Sequence, residues 1–213
     1  ISQIERKKGI KRTIQYRPDG NDFVCVNGKN RYTRALYGGI TDFRIETSDR
    51  PVFATYKPKD SKHICFRLQC GNQSIALDSL KFCEARYRAG RRTYRLTDPL
   101  LGKGELNISV LAFPDAEGGI WRFTMKDMPE GALLHCYISE IRAKNLSRNG
   151  DMGADRADSF DAPQLPKEQK HYKLSLDGTT AYIVVEDQEL RLPALVEGTS
   201  LYDKSEKWRS EIE

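Results

Sequence analysis

The 213-residue chain is 38% hydrophobic and 31% charged, ordinary for a globular domain, and no apolar run approaches the roughly 20 residues of a membrane helix. Its 35 basic and 30 acidic residues leave a net charge of +5 on a mixed surface, which disfavours a nucleic-acid partner. Five cysteines (Cys25, Cys65, Cys70, Cys83, Cys136) are odd in number and lack CxxC spacing, which rules out a complete intrachain disulfide framework and argues against zinc. Buried free thiols are the simpler reading.

The chain opens at Ile1 on "ISQIERKKGIKR", which has no apolar h-region, so the expectation is a removed leader or a trimmed sequence. Period-two alternation and turn residues then predict strands near 12 to 17, 22 to 26, 42 to 47, 52 to 56, 63 to 70, 73 to 78, 82 to 88, 92 to 97, 105 to 112, 120 to 126, 133 to 142, 172 to 177 and 180 to 186. Between the second and third lies "NGKNRYTRALYGG" (27–39), unusually polar for a loop. We expect a structured crossover there, with Arg31 or Arg34 paired to a carboxylate and Tyr37 packed beneath the turn, because a guanidinium fork can fix irregular backbone.

In "HICFRLQC", Ile64, Phe66, Leu68 and Cys70 alternate with polar positions, and Cys65 and Cys70 are expected on one strand face where a direct bond is awkward. "ARYRAGRRTYR" (85–95) reads as a solvated hairpin, with an anionic glycan or nucleic acid as the functional alternatives. Trp121 alternates with Phe123 and Met125 and belongs in a core. His63 and His171 have no local partner, and His135 sits in a strand without a ligand at metal spacing, so no metal site and no cofactor is expected.

Residues 145–171 break the economy of the chain with a long polar stretch, and "NGDMGADRADSFDA" within it gathers Asp151, Asp155, Asp158 and Asp161 around two glycines. The spacing fits no EF-hand. Carboxylates so placed read as a solvated loop or as a loop facing a substrate or another domain. At the end, Ser200 as an N-cap with Asp203 three residues on, followed by Leu201, Trp208 and Ile212, predicts a helix. The fold class is therefore all-β: an antiparallel, supersandwich-like β-sandwich over 1–198, with a short C-terminal helix over 199–213 as a linker or the start of a missing downstream domain.

Three motifs carry a resemblance. They are Asn30 and Arg31 with an extra residue before Leu36, Tyr37 and Gly38; Asp98, Pro99, Leu101 and Gly102 of "DPLLG"; and Gly150, Asp151 and Gly153 of "GDMG". In this order, within "NGKNRYTRALYGG", "RLTDPLLGKGELNISVLAFPDAEGGIWRF" and "KNLSRNGDMGAD", they resemble a family of uncharacterised exported proteins of Gram-negative gut bacteria. In that family an N-terminal β-sandwich precedes a six-hairpin (α/α) barrel like those of glycosidases.

The resemblance implies a noncatalytic N-terminal domain, periplasmic or at the cell surface, whose partners are carbohydrate and a downstream barrel of the same polypeptide. Asp151, Asp155, Arg31 and Arg34 are the candidate substrate-facing residues. Two other classes remain open. One is an autonomous carbohydrate-binding module presenting Tyr87, Tyr94 or Trp121. The other is a self-contained glycoside hydrolase using Asp151, Asp155 or Glu140, for which two carboxylates should line one deep pocket.

Overall fold

A computed structural model describes residues 15–29, 32–39, 41–57, 61–140, 169–186, 189–191 and 201–203. In chain order the strands are β1 (Arg17–Asp19), β2 (Asp22–Val26), β3 (Tyr32–Tyr37), β4 (Arg44–Ser48), β5 (Phe53–Tyr56), β6 (Lys62–Cys70), β7 (Gln73–Ala76) and β8 (Phe82–Arg88). They continue with β9 (Arg91–Thr97), β10 (Glu105–Ala112), β11 (Gly118–Lys126), β12 (Leu133–Glu140), β13 (Gln169–Ser175), β14 (Thr180–Glu186), β15 (Glu189–Arg191) and β16 (Leu201–Asp203). Short 3₁₀ turns occupy Leu77–Ser79 and Pro99–Leu101.

The strands form two antiparallel sheets. The first runs β1-β2-β8-β9-β10-β11-β14-β15, and the second β16-β13-β12-β6-β5-β4-β3, with β7 also paired to β6. Each strand's alternation sends one side-chain set inward. From the first sheet these include Leu96, Leu106, Ile108, Trp121, Phe123 and Ile183, and from the second Leu36, Ile45, Phe53, Ile64, Phe66 and Leu134, all in one cluster. Phe53 sits at its centre, edge-on to Phe66, Tyr94 and Trp121 with centroids 5.6–5.9 Å away, the arrangement that ring quadrupoles favour. Trp121 is fully buried, as its alternation predicts.

The all-β antiparallel sandwich is thus the fold, and the differences lie at its margins. The expected strand 12–17 falls mostly outside the described residues, and β1 begins at Arg17. Of the expected helix from Ser200, residues 204–213 lie outside the described residues, while Leu201–Asp203 forms an edge strand paired with β13. The long polar stretch ends at Gln169, where β13 begins. Cys65 and Cys70 lie on opposite faces of β6, because five positions is an odd separation in an unbroken strand. Cys25, Cys83 and Cys136 are buried, and burial pushes the Cys83 thiol up to about 12.

The "NGKNRYTRALYGG" segment begins as the expected crossover, from β2 of the first sheet to β3 of the second, and continues as the edge strand Tyr32–Tyr37. Tyr32 opposes Ser48 and Arg34 opposes Thr47, so one extra residue is accommodated between them as a β-bulge. Arg34 lies over the rings of Tyr16 and Tyr87, 5.5 and 5.2 Å from their centroids. Tyr37 is 63% exposed, not packed beneath a turn, because the alternation that buries Leu36 turns its neighbour outward. The glycine after it is sterically required: a Cβ on Gly38 would lie 1.6 Å from the carbonyl oxygen of Phe113. Gly38→Ala is therefore expected to lower stability by roughly 1–3 kcal/mol or more, as overpacking against rigid backbone does, measured as a shift in the denaturant midpoint.

Candidate functional site

The outward-facing residues of the first sheet line up in two rows fixed by strand register. One crosses Arg86, Thr93, Ser109, Arg122 and Tyr182, and the next crosses Glu84, Arg95, Asn107, Thr124 and Thr180. Adjacent members stand on strands about 4.8 Å apart. Between the rows runs an open groove of about 270 Å³, lined by Glu84, Arg86, Thr93, Arg95, Asn107 and Ser109 among others, just under the ~300 Å³ at which small-molecule pockets begin.

The charged arms of the groove are cross-linked. Glu84 accepts from Arg86 Nε at 2.8 Å and pairs with Arg95 at 3.6 Å. Arg95 also meets Glu105 at 3.4 Å, and Glu105 accepts from the Asn107 amide at 2.8 Å. Arg86 reaches Asp19 at 2.9 Å, and Arg88 donates to Asp22 at 2.7 Å. The hydrogen bond from Arg88 holds the Asp22 carboxyl below its ordinary range. Guanidinium groups held in place by carboxylates, with the hydroxyls of Thr93, Ser109 and Thr124 on the floor between them, can exchange hydrogen bonds with a ligand rich in hydroxyl groups.

The sequence points to few of these residues. Asp151, Asp155, Asp158, Asp161 and Arg31 lie outside the described residues. Arg34 is described and belongs to the contact between the sheets, away from the groove. The side chain of Glu140, at the end of β12, also lies outside the description. Of the candidate exposed aromatics, Tyr94 and Trp121 are buried and Tyr87 packs against the core. The "RAGRR" hairpin is correct, with Gly90 at φ +78° in its turn, but Arg92 is fully buried rather than solvated because its strand position faces inward. The clue to the groove was present in the alternation itself: positions 84, 86, 93, 95, 107, 109, 122 and 124 are the polar half of four predicted strands.

A wider concavity of about 660 Å³ at one end of the sandwich is lined by Asp127, Glu130 and Asp177 among others. The Asp177 carboxylate there accepts from the Ser175 hydroxyl at 2.5 Å and from the Gly131 N–H at 3.3 Å, joining two turns. Among the described residues no group of three or more His, Cys, Asp or Glu side chains could hold a metal ion, and no helix is long and apolar enough to cross a membrane.

Residues 58–186 match a protein family described as a domain of unknown function, DUF4450, and the chain belongs to that family. No curated protein matches the chain. The matched region contains all the residues that line the groove, so the ion-pair network can be tested for a structural role. Because its members are exposed or half-exposed, Glu84→Gln is expected to change stability by less than about 1 kcal/mol in thermal or chemical denaturation.

Proposed function

We propose that this chain is the noncatalytic N-terminal β-sandwich of a larger, exported glycosidase-like protein, and that the groove of the first sheet holds a glycan for chemistry performed on a downstream (α/α) barrel. The observation that carries the reading is the pair of registered polar rows, whose neutral hydroxyls and amide stand between immobilised charged arms at intervals suited to successive sugar hydroxyls. The one carboxylate lining the groove, Glu84, is engaged by two arginines, an arrangement suited to orienting a ligand. A glycosidase centre instead requires two carboxyl groups facing each other across the bond to be cleaved, roughly 5 to 10 Å apart.

An autonomous module built on an aromatic platform is less favoured, since Tyr94 and Trp121 are committed to the core. Export to the periplasm or cell surface follows from the same reading of the motifs.

The test uses the purified 213-residue chain against a panel of neutral and acidic oligosaccharides, with binding by calorimetry and turnover by reducing-end release. Binding of at least one glycan at millimolar affinity or better, weakened about tenfold by Thr93→Val with Asn107→Leu, without turnover, is the expected result. Hydrolysis by the isolated chain, or affinity untouched by these substitutions, would overturn it.

A further inference from the structure

The outer face of the first sheet continues past the groove onto β11 and β14. There Arg122 of β11 stands between Ser109 of β10 on one side and Tyr182 of β14 on the other. Along its own strand the outward neighbours are Ile120 and Thr124, because alternation sends Trp121 and Phe123 into the core. The same register sets Leu111 and Val184 beside Ile120, and Asn107 and Thr180 beside Thr124. Arg122 is therefore surrounded, across and along the strands, by outward side chains that carry no charge.

This surrounding sets it apart from the arginines nearer β2. Arg86, Arg88 and Arg95 are each held by a carboxylate, whereas Arg122 is exposed and has no ion-pair partner among the described residues. On one side of it lies an apolar and aromatic strip, with Leu111 40% exposed and Ile120, Tyr182 and Val184 half-buried. On the other side are Ser109 and Thr124, whose hydroxyls line the groove. A guanidinium fork takes a planar carboxylate through two parallel hydrogen bonds. An aromatic and aliphatic surface takes the C–H face of a sugar ring, and hydroxyls exchange hydrogen bonds with sugar hydroxyls.

We propose that Arg122 makes this face specific for an acidic glycan: it binds the carboxylate of a uronic acid residue whose ring lies against Tyr182 and the Leu111–Ile120–Val184 strip. The neighbouring sugar then occupies the hydroxyl-lined groove. Ser109 and Arg122 stand on adjacent strands about 4.8 Å apart, so one short oligosaccharide reaches both. Charge complementarity supports the assignment, since Arg86 and Arg95 are already matched by Glu84 and Glu105, and an incoming carboxylate finds a free counter-charge at Arg122. The inference rests on the reading of the groove as a glycan-binding surface and names the class of glycan it takes.

The experiment measures binding of short galacturonate, glucuronate and mannuronate oligosaccharides, each beside its methyl ester and a neutral counterpart, to the whole chain by calorimetry at pH 7 and matched ionic strength. The ester keeps the ring and its hydroxyls and removes only the charge. At least one acid is expected to bind about tenfold more tightly than its ester. That preference should disappear in Arg122→Gln, whose exposed position should leave the thermal midpoint unchanged. It should persist in Tyr182→Thr, which should weaken acid and ester alike. Esters bound as tightly as acids, a preference that survives Arg122→Gln, or affinities untouched by Tyr182→Thr would overturn the proposal while leaving the groove a glycan site. Failure of every saccharide to bind, neutral ones included, would overturn both this inference and the function on which it rests.

Discussion

The carbonyl oxygen of Ser48 joins the two sheets. It lies at the end of β4 in the second sheet and accepts hydrogen bonds from two side chains of β9 in the first, Arg92 Nη2 at 2.8 Å and the Tyr94 hydroxyl at 2.6 Å. Arg92 also donates to the Tyr16 hydroxyl, and its guanidinium lies 5.2 Å from the centre of that ring. Burying a guanidinium is expensive unless its hydrogen bonds are made. Here Nε and Nη2 donate to a backbone carbonyl and two phenols, while Nη1 is buried without a hydrogen-bond partner. Since hydrogen bonds to charged groups contribute roughly 1.5–3 kcal/mol each, the contact favours one spacing and one rotation of the sheets over others that an apolar core alone would tolerate.

The next two residues extend that constraint along the chain. Arg50 donates to three carbonyl oxygens, those of Gly28, Asp78 and Leu80, at 2.8–2.9 Å. The buried Asp49 accepts from the Lys29 N–H at 3.1 Å and packs so closely that a Cβ on Gly28 would lie 2.5 Å from its Cγ. Asn27, at φ +49°, exchanges hydrogen bonds with the backbone of Cys83. The polar residues that begin "NGKNRYTRALYGG" therefore seat the β2–β3 connection on the Ser48–Asp49–Arg50 corner. Their role is to fix backbone where no regular ladder can.

What was readable in the sequence follows from how local the cause is. Strands with a clean period of two, such as β6, β10 and β11, show themselves because their alternation reports a buried and a solvated face. β3 was hidden because its bulge breaks the period between Tyr32 and Arg34, and because Arg34 and Tyr37 look like loop chemistry. Arg92 was misread for a related reason: its position has the parity of the core, but an arginine there is explained only by Ser48, 44 residues away. His171 likewise seemed to lack a partner because its partner, His135, is 36 residues distant and is brought beside it by the β12–β13 pairing. Individual strands leave traces in sequence, whereas contacts between strands seldom do. The two outer faces, both products of register, could not be assembled from the sequence without the pairing order.

That register also separates the two outer faces in chemistry. Sheets in a sandwich pack about 10 Å apart, so the hydroxyl-lined groove and the Arg67–His135–Lys173 row of β6, β12 and β13 look in opposite directions with the Phe53 cluster between them. Their chemistry differs accordingly. In the groove Arg86 and Arg95 meet carboxylates, through Glu84, Glu105, Asp19 and Asp22, which offsets their charge and suits neutral hydroxyl groups. Across β6, β12 and β13 two buried imidazoles, His135 and His171, instead meet ring nitrogen to ring nitrogen at 2.9 Å, and burial is the first cause that lowers the His135 pKa to about 4. A short ligand cannot touch both faces at once, and any molecule that engages the two must pass around a sheet edge. On the second sheet that edge is β3 on one side, with its exposed Tyr37, and β16 on the other. The bulge in β3 interrupts the hydrogen-bonding register that an added strand would need, so of the two edges it is the less suited to pairing with further chain.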